Sequence, residues 1–170
     1  MRKTTFLLLF ALVWAHTGFS QNPDALLMRR WKMTKIMTQK MLDNAESGLP
    51  KSQEVIDEET MVQNLIDKGS YIDIKKNNVF IMGMYNFIAD EILPIKTQWD
   101  YLDNKKAFNV KAEEAKKVVK NKKGTKLTAT NSMDYTEYRI LELSDTVLKL
   151  RVEKVGETKP NTIMIFSPVK

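Results

Sequence analysis

The chain has 170 residues, a formal net charge of +6, no cysteine and a single histidine. Without cysteine there are no disulfides or thiol nucleophiles, and His16 falls in an apolar N-terminal segment, so the rest of the chain also lacks imidazole. Catalytic triads built on His or Cys and zinc sites of the ordinary kind are thereby excluded, and stability must come from the apolar core.

Arg2 and Lys3 precede an apolar run, Phe6 to Val13 with Trp14 and Ala15, and Gly18 and Ser20 place small residues before Gln21. This is the pattern of a cleaved secretory signal peptide, too short for a comfortable membrane span. No cysteine follows the run, which excludes a lipid-anchored lipoprotein. Residues 1–20 are therefore expected to be removed, leaving 21–170 as one exported domain, periplasmic or secreted, with no membrane span. Taking Arg2 and Lys3 from the 27 basic residues leaves 25 against 21 acidic ones, a net charge of +4. For an exported protein of this mild basicity nucleic acid is not an expected partner; anionic glycan or lipid headgroups are more accessible. About 150 residues are enough for one domain that buries roughly two-thirds of its unfolded surface.

Asn22-Pro23-Asp24 can open a short helical turn carrying Ala25, Leu26, Leu27 and Met28. A first strand is predicted from Trp31 to Thr38, with Trp31, Met33 and Met37 on one face and Lys32, Thr34 and Thr38 opposite; Ile36 breaks the pattern. Asp43 to Pro50 reads as a loop, and Ser52 caps a helix running to about Asp67, with Gly69 in the place of a left-handed cap. Its stripe of Val55, Val62, Leu65 and Ile66 is expected to pack. From Ser70 the period changes to two. Ile72 and Ile74, a turn at Asn77-Asn78, and Phe80, Met82 and Met84 form a hairpin, in which Gly83 suggests a bulge or bend.

Ala89 to Pro94 reads as a connection. A second hairpin follows, with Ile95, Thr97, Trp99 and Tyr101 on one face and Phe108 and Val110 returning after the Asp103-Lys106 turn. Across Ala112 to Lys126 the pairing of Glu113 with Lys116 and Lys117 allows a short helix, and Lys120, Lys122, Lys123 and Lys126 crowd a glycine-containing loop. A strand from Lys126 to Thr130 and a turn at 131–134 lead to the clearest stretch of all. Tyr135 to Glu153 is a hairpin around Ser144-Asp145-Thr146, in which Leu148, Leu150 and Val152 alternate with Lys149, Arg151 and Glu153. Thr162 to Phe166 continues the meander. Strands so spaced suggest a closed up-and-down barrel or a sandwich.

Four stretches carry a resemblance to a known family: Arg29-Arg30-Trp31 as a strand opener, Ser70 to Phe80 as a Lys-Lys turn hairpin, Thr97-Gln98-Trp99 before Asp103-Asn104, and Tyr138 to Asp145. They resemble the lipocalin-like domain of exported bacterial proteins, a branch of the calycin-type barrels, over nearly all of the mature chain. Arg29 and Thr97 stand where that family has opener glycines. The resemblance implies an all-β, antiparallel up-and-down barrel of about eight strands with one or two short helices, whose interior can hold a small hydrophobic molecule.

In such a barrel the inward residues either fill the interior or line a cavity. The ligand-lining candidates are Phe80, Met82, Met84, Trp99, Tyr101, Phe108, Leu148 and Leu150. Met82 and Met84 beside Phe80 suit a permissive apolar site. Glu54, Asp57, Glu58 and Glu59 look solvated, and Asp90-Glu91 sits in a connection, so nothing marks a catalytic carboxylate pair. The expectation is a non-enzymatic, monomeric binding protein without catalytic residues, metal or cofactor. The alternative is a cell-envelope interaction module with a filled core and a protein partner.

Overall fold

The computed structural model describes residues 23–111, 136–155 and 158–169, and the backbone of 115–120 and 126–131. The segment expected to be a signal peptide, residues 132–134 of the expected turn and the side chains of the lysine run from Lys116 to Lys126 lie outside the described residues.

Apolar-polar alternation gives strands β1 (Arg30–Met37), β2 (Tyr71–Ile74), β3 (Val79–Asn86), β4 (Glu91–Leu102) and β5 (Ala107–Val110). After an excursion through β6 (Ala115–Lys120) and β7 (Lys126–Asn131) come β8 (Thr136–Leu143), β9 (Leu148–Val155) and β10 (Thr162–Pro168). Eight of them close into a barrel in the order β1-β10-β9-β8-β5-β4-β3-β2, every pairing antiparallel. The expected fold class is what the chain adopts. β6 and β7 pair with each other in a separate two-stranded sheet. The helix allowed over 112–126 is therefore a strand at 115–120, where Val118 and Val119 suit extended backbone.

Helix α1 (Pro23–Leu27) sits at one end of the barrel. Leu27 is buried there, and the Trp31 indole donates to the Leu27 carbonyl at 3.0 Å. The antiparallel order places the turns 75–78, 103–106 and 144–147 at this same end. The opposite end carries the 87–90 turn and two helices between β1 and β2, namely α2 (Gln39–Ser47) and α3 (Gln53–Asp67).

Helix α2 falls where a loop was expected from Asp43 to Pro50. Thr38 caps it, its hydroxyl accepting from Met41 N, and Gly48 ends it with φ +64°. None of its residues is fully buried, so its ends define it more than its packing does. Helix α3 begins at the expected cap, where the Ser52 hydroxyl accepts from Val55 N at 3.4 Å, and Gly69 follows it with φ +85°. Its C-terminus is tied to the sheet through fully buried Ser70. That residue donates its N–H to Leu65 O, accepts from Met33 N, and takes the Tyr85 N–H on its hydroxyl.

Three local expectations change. β1 slips register between Met33 and Lys35, so Thr34 is an extra residue. The bulge turns Ile36 inward, 5% exposed, and swings Met37 away from the face it was expected to share with Trp31 and Met33. At Gly83 there is no register shift; the Tyr71 ring lies against it instead. The connection expected at Ala89–Pro94 is already strand from Glu91, and exposed Pro94 is accommodated because β5 pairs only with Trp99 to Leu102. The β5 side of Pro94 thus needs no N–H for that ladder.

Candidate functional site

All eight ligand-lining candidates sit on the barrel's inner face. Phe80, Met82, Trp99, Phe108, Leu148 and Leu150 are buried in one continuous cluster, and half-buried Met84 and Tyr101 pack against it. The same alternation carries inward residues that were not singled out, including Ile72, Tyr138 and Phe166. Phe108 is the hub: its ring centroid lies 5.2 Å from Tyr138, 5.9 Å from Trp99 and 6.3 Å from Phe80. Ring pairs of this kind contribute about 0.5–1.5 kcal/mol beyond their area burial. The mid-section of the barrel is thus occupied by the protein's own rings.

At the α1 end a polar clasp holds the helix to the β4–β5 turn. The Tyr101 hydroxyl donates to Asp24 at 2.8 Å, and Lys105 Nζ donates to both carboxylate oxygens at 3.0 and 2.8 Å. The hydrogen bonds from Lys105 and Tyr101 hold the Asp24 carboxyl below its usual range. Burial, reinforced by Asp24, pushes the Tyr101 phenol well up, and burial does the same to Tyr138.

At the other end a groove of about 610 Å³ opens between α3, α2 and β1. Ile36, Val62 and Ile66 line it along with Met41 and Ile56. Ile36 and Val62 belong to the barrel's core cluster, so the groove reaches the core directly. Thr34, Lys35, Thr60, Gln63 and Asn64 supply its polar lining. Glu59, also in the lining, is held by Lys51 Nζ, 2.7 Å from each of its carboxylate oxygens. The size falls within the 300–1,000 Å³ typical of small-molecule sites.

Sequence reasoning missed this groove because it needs the bulge that turns Ile36 and the helix that places Met41. The Thr38…Gly48 pair of cap residues was the available signal. A smaller groove of about 460 Å³ lies outside the barrel between Glu137, Arg151, Glu153 and the Lys159-Asn161 turn. Among the described residues no group of three or more His, Cys, Asp or Glu is placed to hold a metal, and no helix is long and apolar enough to cross a membrane.

No protein-family model matches the chain, and no curated protein matches it. Among solved structures it is similar to the crystal structure of a DUF4847 family protein from Bacteroides vulgatus. The identity is 15% and the TM-score 0.43, covering 85% of this chain and 94% of the other. At that overlap the likeness adds nothing to what the strand order already establishes.

Proposed function

We propose that this chain is an exported lipocalin-like protein that binds a small hydrophobic molecule and performs no chemistry on it. The observation that carries this reading is the groove between α3 and β1, whose lining includes the core residues Ile36 and Val62. Close packing around Phe108 favours a ligand at this helix-covered end over one in the barrel's mid-section. The lipocalin-like likeness rests on the quoted sequence stretches together with the closed antiparallel barrel. Export rests on the basic, apolar and small-residue pattern of residues 2–20.

Titration with N-phenyl-1-naphthylamine, a neutral polarity probe, tests the binding function. A saturable rise in fluorescence that a Val62→Trp variant reduces is the expected result; no saturation by the folded protein would refute it. Export is tested by expressing the full chain in a bacterium and weighing the product. A mass beginning at Gln21 supports export, and retention of residues 1–20 contradicts it.

A second reading, an envelope interaction module, is favoured by apolar side chains left exposed. Leu49, Ile56 and Met61 lie on the helical layer, and Phe87 and Ile88 lie on the turn at the same end. Pull-down from envelope extract tests it. A stoichiometric partner lost on Phe87→Ser and Ile88→Ser substitution would support this reading over the first.

A further inference from the structure

We infer that the outer wall formed by β1, β10 and β9 docks on a bilayer of anionic phospholipid. The inference goes beyond the binding function proposed above and does not rest on the groove. Strand register lays two rows of side chains across this wall. One runs Lys35, Ile165, Lys149, and the other Met37, Ile163, Arg151. Phe166, Leu150 and Val152 on the same strands belong to the core, so Ile163, Ile165, Lys149 and Arg151 point outward. Lys35 joins its row because the bulge leaves it exposed beside Thr34. Lys32, exposed opposite Ser167, adds a cation on the α1 side of the rows. Half-buried Ile163 and Ile165 thus run between cations on both flanks.

Lys32, Lys35, Lys149 and Arg151 form no ion pair with a described residue. Of the carboxylates bordering the wall, Asp73 is held by Arg30 and Lys75, Asp145 by Arg29, and Glu137 stands opposite Lys154. Arg139, opposite Arg151, bonds both Glu153 and Asp103, so that triad carries one net negative charge. Glu142, opposite Lys149, supplies one more. Four cations without an ion pair therefore outweigh two negative charges on the wall. The acid-rich surface lies elsewhere, in the helical layer of residues 38–69, where seven carboxylates stand against three lysines. An anionic bilayer attracts the wall and repels the helical layer, which sets the orientation of docking. Lysine and arginine stems beside the two isoleucines suit an interface where charged tips reach headgroups and apolar parts stay at the acyl boundary. An anionic polymer offers the isoleucines nothing.

Co-sedimentation of the mature protein with vesicles tests this, using phosphatidylcholine alone and phosphatidylcholine mixed with phosphatidylglycerol. Binding to the mixed vesicles only, lost at high salt, is the expected result. Each lysine or arginine near an anionic surface is worth about five-fold in affinity, so Lys149→Gln with Arg151→Gln should weaken binding roughly 25-fold. Lys76→Gln with Lys96→Gln removes the same charge from exposed positions outside the wall and should weaken it by less than about five-fold. Circular dichroism confirms the fold of each variant.

No binding of the folded protein to the mixed vesicles would overturn the inference. Equal losses in the two double variants would overturn the assignment to this wall, since net charge alone would then account for binding. Capture by immobilised heparin with none by vesicles would overturn the bilayer in favour of an anionic polymer. None of these outcomes bears on dye binding in the groove, so the two functions are tested separately.

Discussion

The Tyr71 ring occupies the space in which Gly83 has no side chain. A Cβ built at Gly83 would lie 2.2 Å from Tyr71 Cε1 and 2.7 Å from Cζ, across a register in which the two residues face each other. The same ring receives the Arg30 guanidinium at 4.7 Å from its centroid. The glycine is therefore required by a neighbour and not by its own backbone.

Gly83→Ala is expected to destabilise the barrel by about 1–3 kcal/mol, as overpacking does. Tyr71→Ala in the same chain should relieve most of that loss, so the two changes combine non-additively. Urea denaturation of the four proteins in the cycle measures the coupling. Strict additivity would contradict the contact.

Replacing Phe108, the fully buried hub of the ring cluster, by alanine is expected to cost about 3–5 kcal/mol. Leu141→Ala, on the same sheet but 37% exposed at a bulge in β8, is expected to fall within about 0.5 kcal/mol of wild type. Chemical denaturation compares them directly; similar losses at the two sites would show that Phe108 does not anchor the interior.

The clasp between α1 and the β4–β5 turn makes stability depend on pH at both ends of the scale. The Asp24 carboxyl is held below its ordinary value, so its contribution is complete above the unfolded-state value of about 4 and fades as pH falls through the folded-state one. Burial first, and the Asp24 carboxylate second, raise the Tyr101 phenol, so its contribution is complete below the unfolded-state value of about 10 and fades as pH climbs through the folded-state one. Asp24→Asn is expected to flatten part of the acid limb and to bring the Tyr101 midpoint down toward its usual range. Denaturation midpoints across pH, with ultraviolet titration of the tyrosines, check both. An unchanged acid limb in Asp24→Asn would exclude the clasp as its source.

The bulge in β1 makes an asymmetric prediction about deletions. Without Thr34, the order Trp31, Lys32, Met33, Lys35, Ile36 alternates in and out unbroken, and the barrel should persist. Without Lys32, Trp31 and Met33 become consecutive, and one buried side chain must turn to solvent. Circular dichroism and urea midpoints of the two deletions should separate clearly. Equal loss of structure would contradict the register.

Where one face of a strand is wet, the sequence is close to sufficient. Leu148, Leu150 and Val152 against Lys149, Arg151 and Glu153 specify β9 and its facing completely, and Asn78, at φ 59°, makes the tight turn its type allows. The same logic placed every inward candidate inside. It failed where one residue changes a period, as at Thr34, and where a helix depends on its caps more than on an apolar stripe, as in α2. It failed again at Pro94, because only the finished sheet shows that β5 does not extend alongside it. The groove combines the first two of these features, which is why the inward face could be read from the chain while the candidate site could not.

The hairpin of β6 and β7 is an appendage to a ring that is already complete. Val110 pairs with Thr136, so the staves on either side of the excursion meet without it. Evolution and the engineer are thus free to lengthen, recharge or replace this cassette with little mechanical consequence for the vessel. Graft tolerance should be concentrated there.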